Sequence, residues 1–189
     1  MELGIVTAND VNRYVENSLS ESGRKVIEQT LLDDERARQL VIEKSDKDEA
    51  PPLAEDAVEK LASTVEVCQQ CLVGYEVLQS GDGPAPFLDF AADRFVKRWA
   101  LLKQVRQLLT DKSSATQTVN DIHENAGEPG PINALALERA IQQDYALISK
   151  LREAFDAASA PIWKATIADW IATVENDKSR LAWLYRHYS

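Results

Sequence analysis

Residues Ala57 to Glu76 read AVEKLASTVEVCQQCLVGYE. Val58, Leu61, Val65, Cys68, Leu72 and Tyr75 recur at alternating steps of three and four. Such a series keeps one face of a helix turned toward a core. The spacing predicts a long helix that Ser80-Gly81-Asp82-Gly83-Pro84 stops and turns. Downstream, Leu88, Ala91, Phe95, Trp99, Leu102, Val105 and Leu109 predict a second long helix. Leu137, Ile141, Ile148, Leu151 and Phe155 predict a third, and Trp163, Ile167, Trp170, Val174, Leu181, Tyr185 and Tyr188 a fourth. Between the third and fourth, Ala158-Ser159-Ala160-Pro161 is a tight connection with proline at the start of the next helix. Between the second and third, the polar stretch from Asp111 to Pro131 is too long for a hairpin. A connection of about twenty residues is unusual in a compact domain unless it crosses the length of a bundle. The order short turn, long crossover, short turn belongs to ferritin-like bundles. The expected fold is therefore all-α, with a ferritin-like antiparallel four-helix bundle over residues 57–189.

Upstream, residues 1–45 read as a small helical arm. Thr7 can cap one helix, with Asp10 placed to reach back. Leu19-Ser20-Glu21-Ser22 reads as a turn and a second cap, and Asp33-Asp34 can start a third helix. Residues 46–56, charged and then Pro51-Pro52, read as a linker. An arm this small buries little core by itself. It is expected to pack on the bundle or on another chain, which favours a homo-oligomer.

The chain has 189 residues and a formal net charge of -10. No block of Lys and Arg offers a phosphate-binding surface, so neither nucleic acid nor anionic lipid is an expected partner. No run approaches the ~18 apolar residues of a membrane span. Met1-Glu2-Leu3-Gly4 lacks a signal peptide's basic and apolar regions, so a bacterial-type cytoplasm is the expected compartment. The two cysteines, three apart, form no disulfide framework.

A ferritin-like dimetal centre needs inward carboxylates with Glu-x-x-His pairs, because residues three apart share a helix face. The four long helices contain no such pair. His123 falls in the crossover and His187 near the end of the chain. Glu59, Glu66, Asp89 and Asp93 are expected on the solvent side, and Glu76 at a helix end. Neither a metal nor another cofactor is expected. The residues that do break the apolar seams are charged. Asp144 stands between Ile141 and Ile148, Arg98 lies beside Phe95, and Asp177 and Lys178 fill the gap between Val174 and Leu181. All four fall near mid-helix, and a carboxylate buried alone costs several kcal/mol, so Asp144 should have Arg98 or Lys178 as partner. The cluster reads either as an ion pair that fixes helix register or as a small-ligand or ion site. Cys68 reads as core and Cys71 as its flank beside Gly74. A redox or metal role for this Cys-x-x-Cys is the alternative.

Gly74-Tyr75-Glu76, Ala91-Ala92-Asp93-Arg94-Phe95 and the stretch Glu138 to Tyr145 resemble the ferritin-like bundle family of unknown function DUF2383. The resemblance covers about 130 residues and is a pattern of helices more than a sharp motif. It implies a fold and little about activity. Asp144 matches an acidic position of that pattern, whereas Asp177 and Lys178 stand where the family often carries histidine. The arm, from Asp10 to Ser20 and the helix that follows, resembles the start of bacterial anti-sigma domains, without their zinc ligands. That resemblance implies a transcription factor as partner. The leading expectation is a non-catalytic helical protein, stress-related or regulatory, that acts by protein association or self-association. A ferritin-like metal-binding or redox protein and an anti-sigma-like regulator are the alternatives.

Overall fold

A computed structural model describes residues 6–45, 50–110 and 134–188. All seven elements among the described residues are α-helices: α1 (Ala8–Val15), α2 (Glu21–Asp33), α3 (Glu35–Lys44), α4 (Glu55–Ser80), α5 (Ala85–Thr110), α6 (Ala134–Ala157) and α7 (Pro161–Tyr188). The expected all-α class holds. The crossover with His123 lies outside the described residues, as do residues 46–49 of the linker and the side chains of Tyr185, His187 and Tyr188. None of the described helices is long and apolar enough to cross a membrane.

Local chemistry starts the short helices. Thr7 caps α1 in a reciprocal box: its side chain accepts from the Asp10 N–H, and the Asp10 carboxylate accepts from the Thr7 N–H at 3.0 Å. Ser20 caps α2 by accepting from the Gly23 N–H, and Asp34 caps α3 by accepting from the Arg36 and Ala37 N–H groups, without the return bond. Asn17 follows α1 at φ 57°, a left-handed position that asparagine tolerates better than most residues.

The chain divides into two compact units, and the division falls inside continuous helices. One unit joins residues 1–58 to 151–173. The arm therefore shares a unit with the end of α6 and the start of α7. The reason is visible in its core and its polar ties. Val11, Tyr14, Ile27, Leu31 and Val41 are buried, as are Leu151, Phe155, Ile162, Ile167 and Ile171. Buried Arg38 donates to the Leu31 carbonyl at 3.0 Å and to Asp169 at 3.3 Å. Buried Lys164 donates to the Phe155 carbonyl at 2.9 Å and lies 3.5 Å from Glu28. The Trp163 indole donates to the Pro51 carbonyl at 2.8 Å, fixing the extended residues before α4. Such contacts supply the burial that a short arm lacks by itself.

The other unit joins residues 59–150 to 174–189. Segments of α4, α5, α6 and α7 enclose one core here. Tyr75 and Leu78 meet Phe87, Phe90 and Ala91, Leu137 and Ala140, and Leu181 and Leu184. The face of α5 differs from the sequence expectation. Phe87, Phe90, Ala91, Arg94, Arg98, Leu101, Leu102 and Val105 are buried. Leu88 and Phe95 are only partly buried, and Trp99 is 37% exposed. The buried face is turned about 60° round the helix from the one expected, the two sharing Ala91, Leu102 and Val105. This rotation brings two arginines into the interior.

Candidate functional site

The rotation of α5 makes the site. Arg94 and Arg98 are four residues apart, so they share the inward face. Across from them α6 presents Asp144, α7 presents Asp177 and α4 presents Tyr75. Arg98 and Asp144 are 0% exposed, Asp177 2% and Arg94 3%. Two guanidiniums and two carboxylates balance in charge, which a low-dielectric interior requires.

Arg98 is the centre. Its Nε donates to Asp144 Oδ1 at 3.1 Å and its Nη1 to Asp177 Oδ2 at 3.0 Å. Its Nη2 lies 3.0 Å from Asp144 Oδ1, as a charge contact without hydrogen-bond alignment. Arg94 Nη1 pairs with Asp177 Oδ1. The Tyr75 hydroxyl donates to Asp144 Oδ2 at 2.6 Å, the short distance of a charge-assisted bond. One arginine of α5 thus bridges α6 and α7, and Asp144 of α6 links α4 to α5. The guanidiniums also lie on aromatic rings, Arg94 4.5 Å from the Phe90 centroid and Arg98 5.9 Å from that of Tyr75. At the rim, Asp93 holds Lys97 at 3.2 Å and Arg94 at 3.4 Å. Arg94 Nε is buried without a hydrogen-bond partner, and burial pulls this guanidinium below its ordinary value.

The structure brings Arg98, Asp144 and Asp177 together as one knot. Lys178 sits elsewhere: its ammonium lies 4.2 Å from the Tyr145 ring centroid. One residue is about 100° of helix, and that step turns Lys178 away from the knot toward Tyr145. Two members of the knot were missed by sequence reasoning. Arg94 was hidden by the misplaced face of α5. Tyr75 was read only as core, although a buried phenol needs an acceptor and Asp144 was already assigned inside.

Cys68 and Cys71 are both free thiols, 1% and 0% exposed. Cys71 is core, not a flank. Cys68 donates to the Arg98 carbonyl at 3.4 Å. Burial pushes the Cys68 thiol up to about 12, and it raises Cys71 too, with the Asp144 charge adding to the effect. Burial and Asp144 likewise raise the Tyr75 phenol. Thiols held protonated are poor nucleophiles and poor metal ligands. Glutamine and glycine make a further close fit here. Gln143 Oε1, buried without a hydrogen-bond partner, packs against Gly74 where a Cβ would stand.

These shifts have a signed consequence. Below the ordinary thiol value near 9, both folded and unfolded thiols hold their protons, and the full stability is present. Above it the unfolded thiols ionise while folded Cys68 stays protonated to about 12, so stability falls as pH rises. The expected slope is about 1.4 kcal/mol per pH unit for each thiol. Urea melts between pH 8 and 11 check it, and Cys68→Ala with Cys71→Ala should reduce the slope, leaving the part that buried Tyr14 and Tyr75 add above the ordinary phenol value of 10.0. A slope that the double substitution leaves unchanged contradicts the assignment.

The ferritin-like resemblance raises the question of a metal, and the donor set does not fit one. Asp144 and Asp177 each lie against a guanidinium, so a cation between them would meet Arg98 at contact distance. Among the described residues, no group of three or more His, Cys, Asp or Glu is placed to hold a metal ion. Comparison with protein-family models, with curated proteins and with solved structures produced no match to this chain.

Proposed function

We propose that this chain is a non-catalytic helical protein that acts in the cytoplasm by associating with protein, itself included. Its four long helices would be a ferritin-like bundle, and the ionic knot a lock that fixes their register. One observation carries this reading. The interior charges are balanced among themselves, while large apolar side chains stand outside: Val96 is 63% exposed, Leu135 55%, Tyr145 50% and Trp183 50%. Val96 and Trp99, three residues apart, share one exposed face of α5, and contiguous exposed apolar side chains mark interaction faces. Sedimentation velocity over a dilution series tests it. A species heavier than one chain that dissociates on dilution is the expected result. A single chain at every concentration removes self-association and leaves only a different protein as partner.

Two other readings each have an observation in their favour. Carboxylates buried on α6 and α7 suit a metal-binding or redox member of the ferritin-like class, and the guanidiniums against them oppose it. A regulator that binds a transcription factor through the arm has a groove of about 540 Å³ lined by Val6, Thr7, Thr30, Arg36, Ala37 and Leu40. Pull-down with the full chain and with an Arg36→Glu, Leu40→Glu variant tests that reading. Equal recovery of a bound factor by both proteins counts against the groove.

A further inference from the structure

Helix α5 has a second face. Asp89, Ala92, Val96, Trp99, Ala100, Lys103 and Gln107 are all exposed and all fall within about 60° of the Val96 direction. Five of them, Asp89, Ala92, Val96, Ala100 and Lys103, are placed symmetrically about Val96. Four residues to either side stand alanines, Ala92 and Ala100. Seven residues to either side stand opposite charges, Asp89 and Lys103. At three residues to either side, Asp93 is matched with Trp99, whose indole N–H is a donor for a carboxylate.

We infer that this face is a homodimer interface in which α5 pairs antiparallel with α5 of a second copy, the two-fold axis passing at Val96. The inference rests on the association reading above and names its partner and its surface. A two-fold axis makes a patch meet itself in reverse. Val96 then meets Val96 of the second copy. Each Ala92 meets an Ala100, and small residues there let helix axes approach to about 8 Å. Each Asp89 meets a Lys103, closing both ends of the apolar strip with opposite charges. A parallel pairing instead sets Asp89 on Asp89 and Lys103 on Lys103, which repel. Antiparallel helix dipoles add to the preference. The second copy satisfies this charge order without any further assumption about a partner.

The rest of α5 agrees with that role. Its inward face is held by Arg94 and Arg98 in the knot, so the helix cannot rotate to bury Val96 within its own chain. Lys103 lies 5.4 Å from the Trp99 ring centroid, so its charge already stands at the edge of the strip. A single helix of 26 residues is about 39 Å long. Pairing through it alone falls at the small end of the specific interfaces.

The test is sedimentation velocity of the full chain at ~1 to 100 µM, a range that brackets a micromolar dissociation constant. The unaltered chain should be dimeric at the upper end. Val96→Glu sets two carboxylates on the axis and should make the protein monomeric, with its helical circular dichroism unchanged because Val96 is exposed. Asp89→Lys should do the same, and Asp89→Lys with Lys103→Asp should restore the dimer. Val96→Cys should cross-link to itself under diamide, since Cys68 and Cys71 are buried and do not compete. A dimer that survives Val96→Glu overturns the α5 interface and leaves association standing. A protein monomeric at every concentration overturns the interface and self-association together.

Discussion

Arg98→Ala should lower the unfolding free energy by about 3–5 kcal/mol, the cost of removing one partner from a buried ionic group. Arg98 touches both Asp144 and Asp177. Its loss leaves Asp144 with Tyr75 as its strong donor and leaves Asp177 to Arg94 and, at 3.9 Å, to Lys97 at the rim. Chemical denaturation at neutral pH measures the change. The companion substitution separates a lock from a site. Replacing Arg98 with Met and Asp144 with Leu together removes both charges and fills similar volume. Buried ion pairs exchanged for apolar groups are often neutral or stabilising by about 1–4 kcal/mol. The double substitution should therefore recover most of the loss, with coupling between the two positions of roughly 2–3 kcal/mol in a double-mutant cycle. Additive effects would contradict the knot.

Tyr75→Ala should cost about 3–5 kcal/mol, within the range for a large side chain deleted from a packed core. The ring is 0% exposed and meets the Phe90 ring edge-on, with centroids 6.5 Å apart. Tyr75→Phe keeps the ring and removes only the hydroxyl, so it isolates the bond to Asp144. A hydrogen bond to a charged group contributes about 1.5–3 kcal/mol. The phenylalanine variant should thus show roughly half of the alanine effect. If phenylalanine costs nothing, the hydroxyl does not support Asp144 and the knot is smaller than drawn here.

Much of this was legible in the residues, for definite reasons. Thr7, Ser20 and Asp34 declared helix starts, because a side-chain oxygen before a helical run has few other uses. Asp144 declared itself by standing where an apolar residue was due, and its charge required a cationic neighbour. Arg94 stayed hidden because α5 carries two overlapping apolar series. Phe87, Phe90 and Leu101 define one; Leu88, Phe95 and Trp99 define the other. Periodicity does not choose between them. The knot and the core chose, and Val96 and Trp99 were left outside. Lys178 was misplaced by a single step of the helix. The division into two units was illegible because it cuts α4, α6 and α7 after Val58, Lys150 and Thr173, where nothing in the local sequence breaks a helix.

The most direct test of the account is elemental analysis of the protein, purified without chelator, beside the Asp144→Ala, Asp177→Ala variant. With the carboxylates held by guanidiniums, iron, manganese and zinc should all stay far below one atom per chain in both proteins. One or two atoms of metal per chain, lost in the variant, would contradict the lock and make the knot a metal centre.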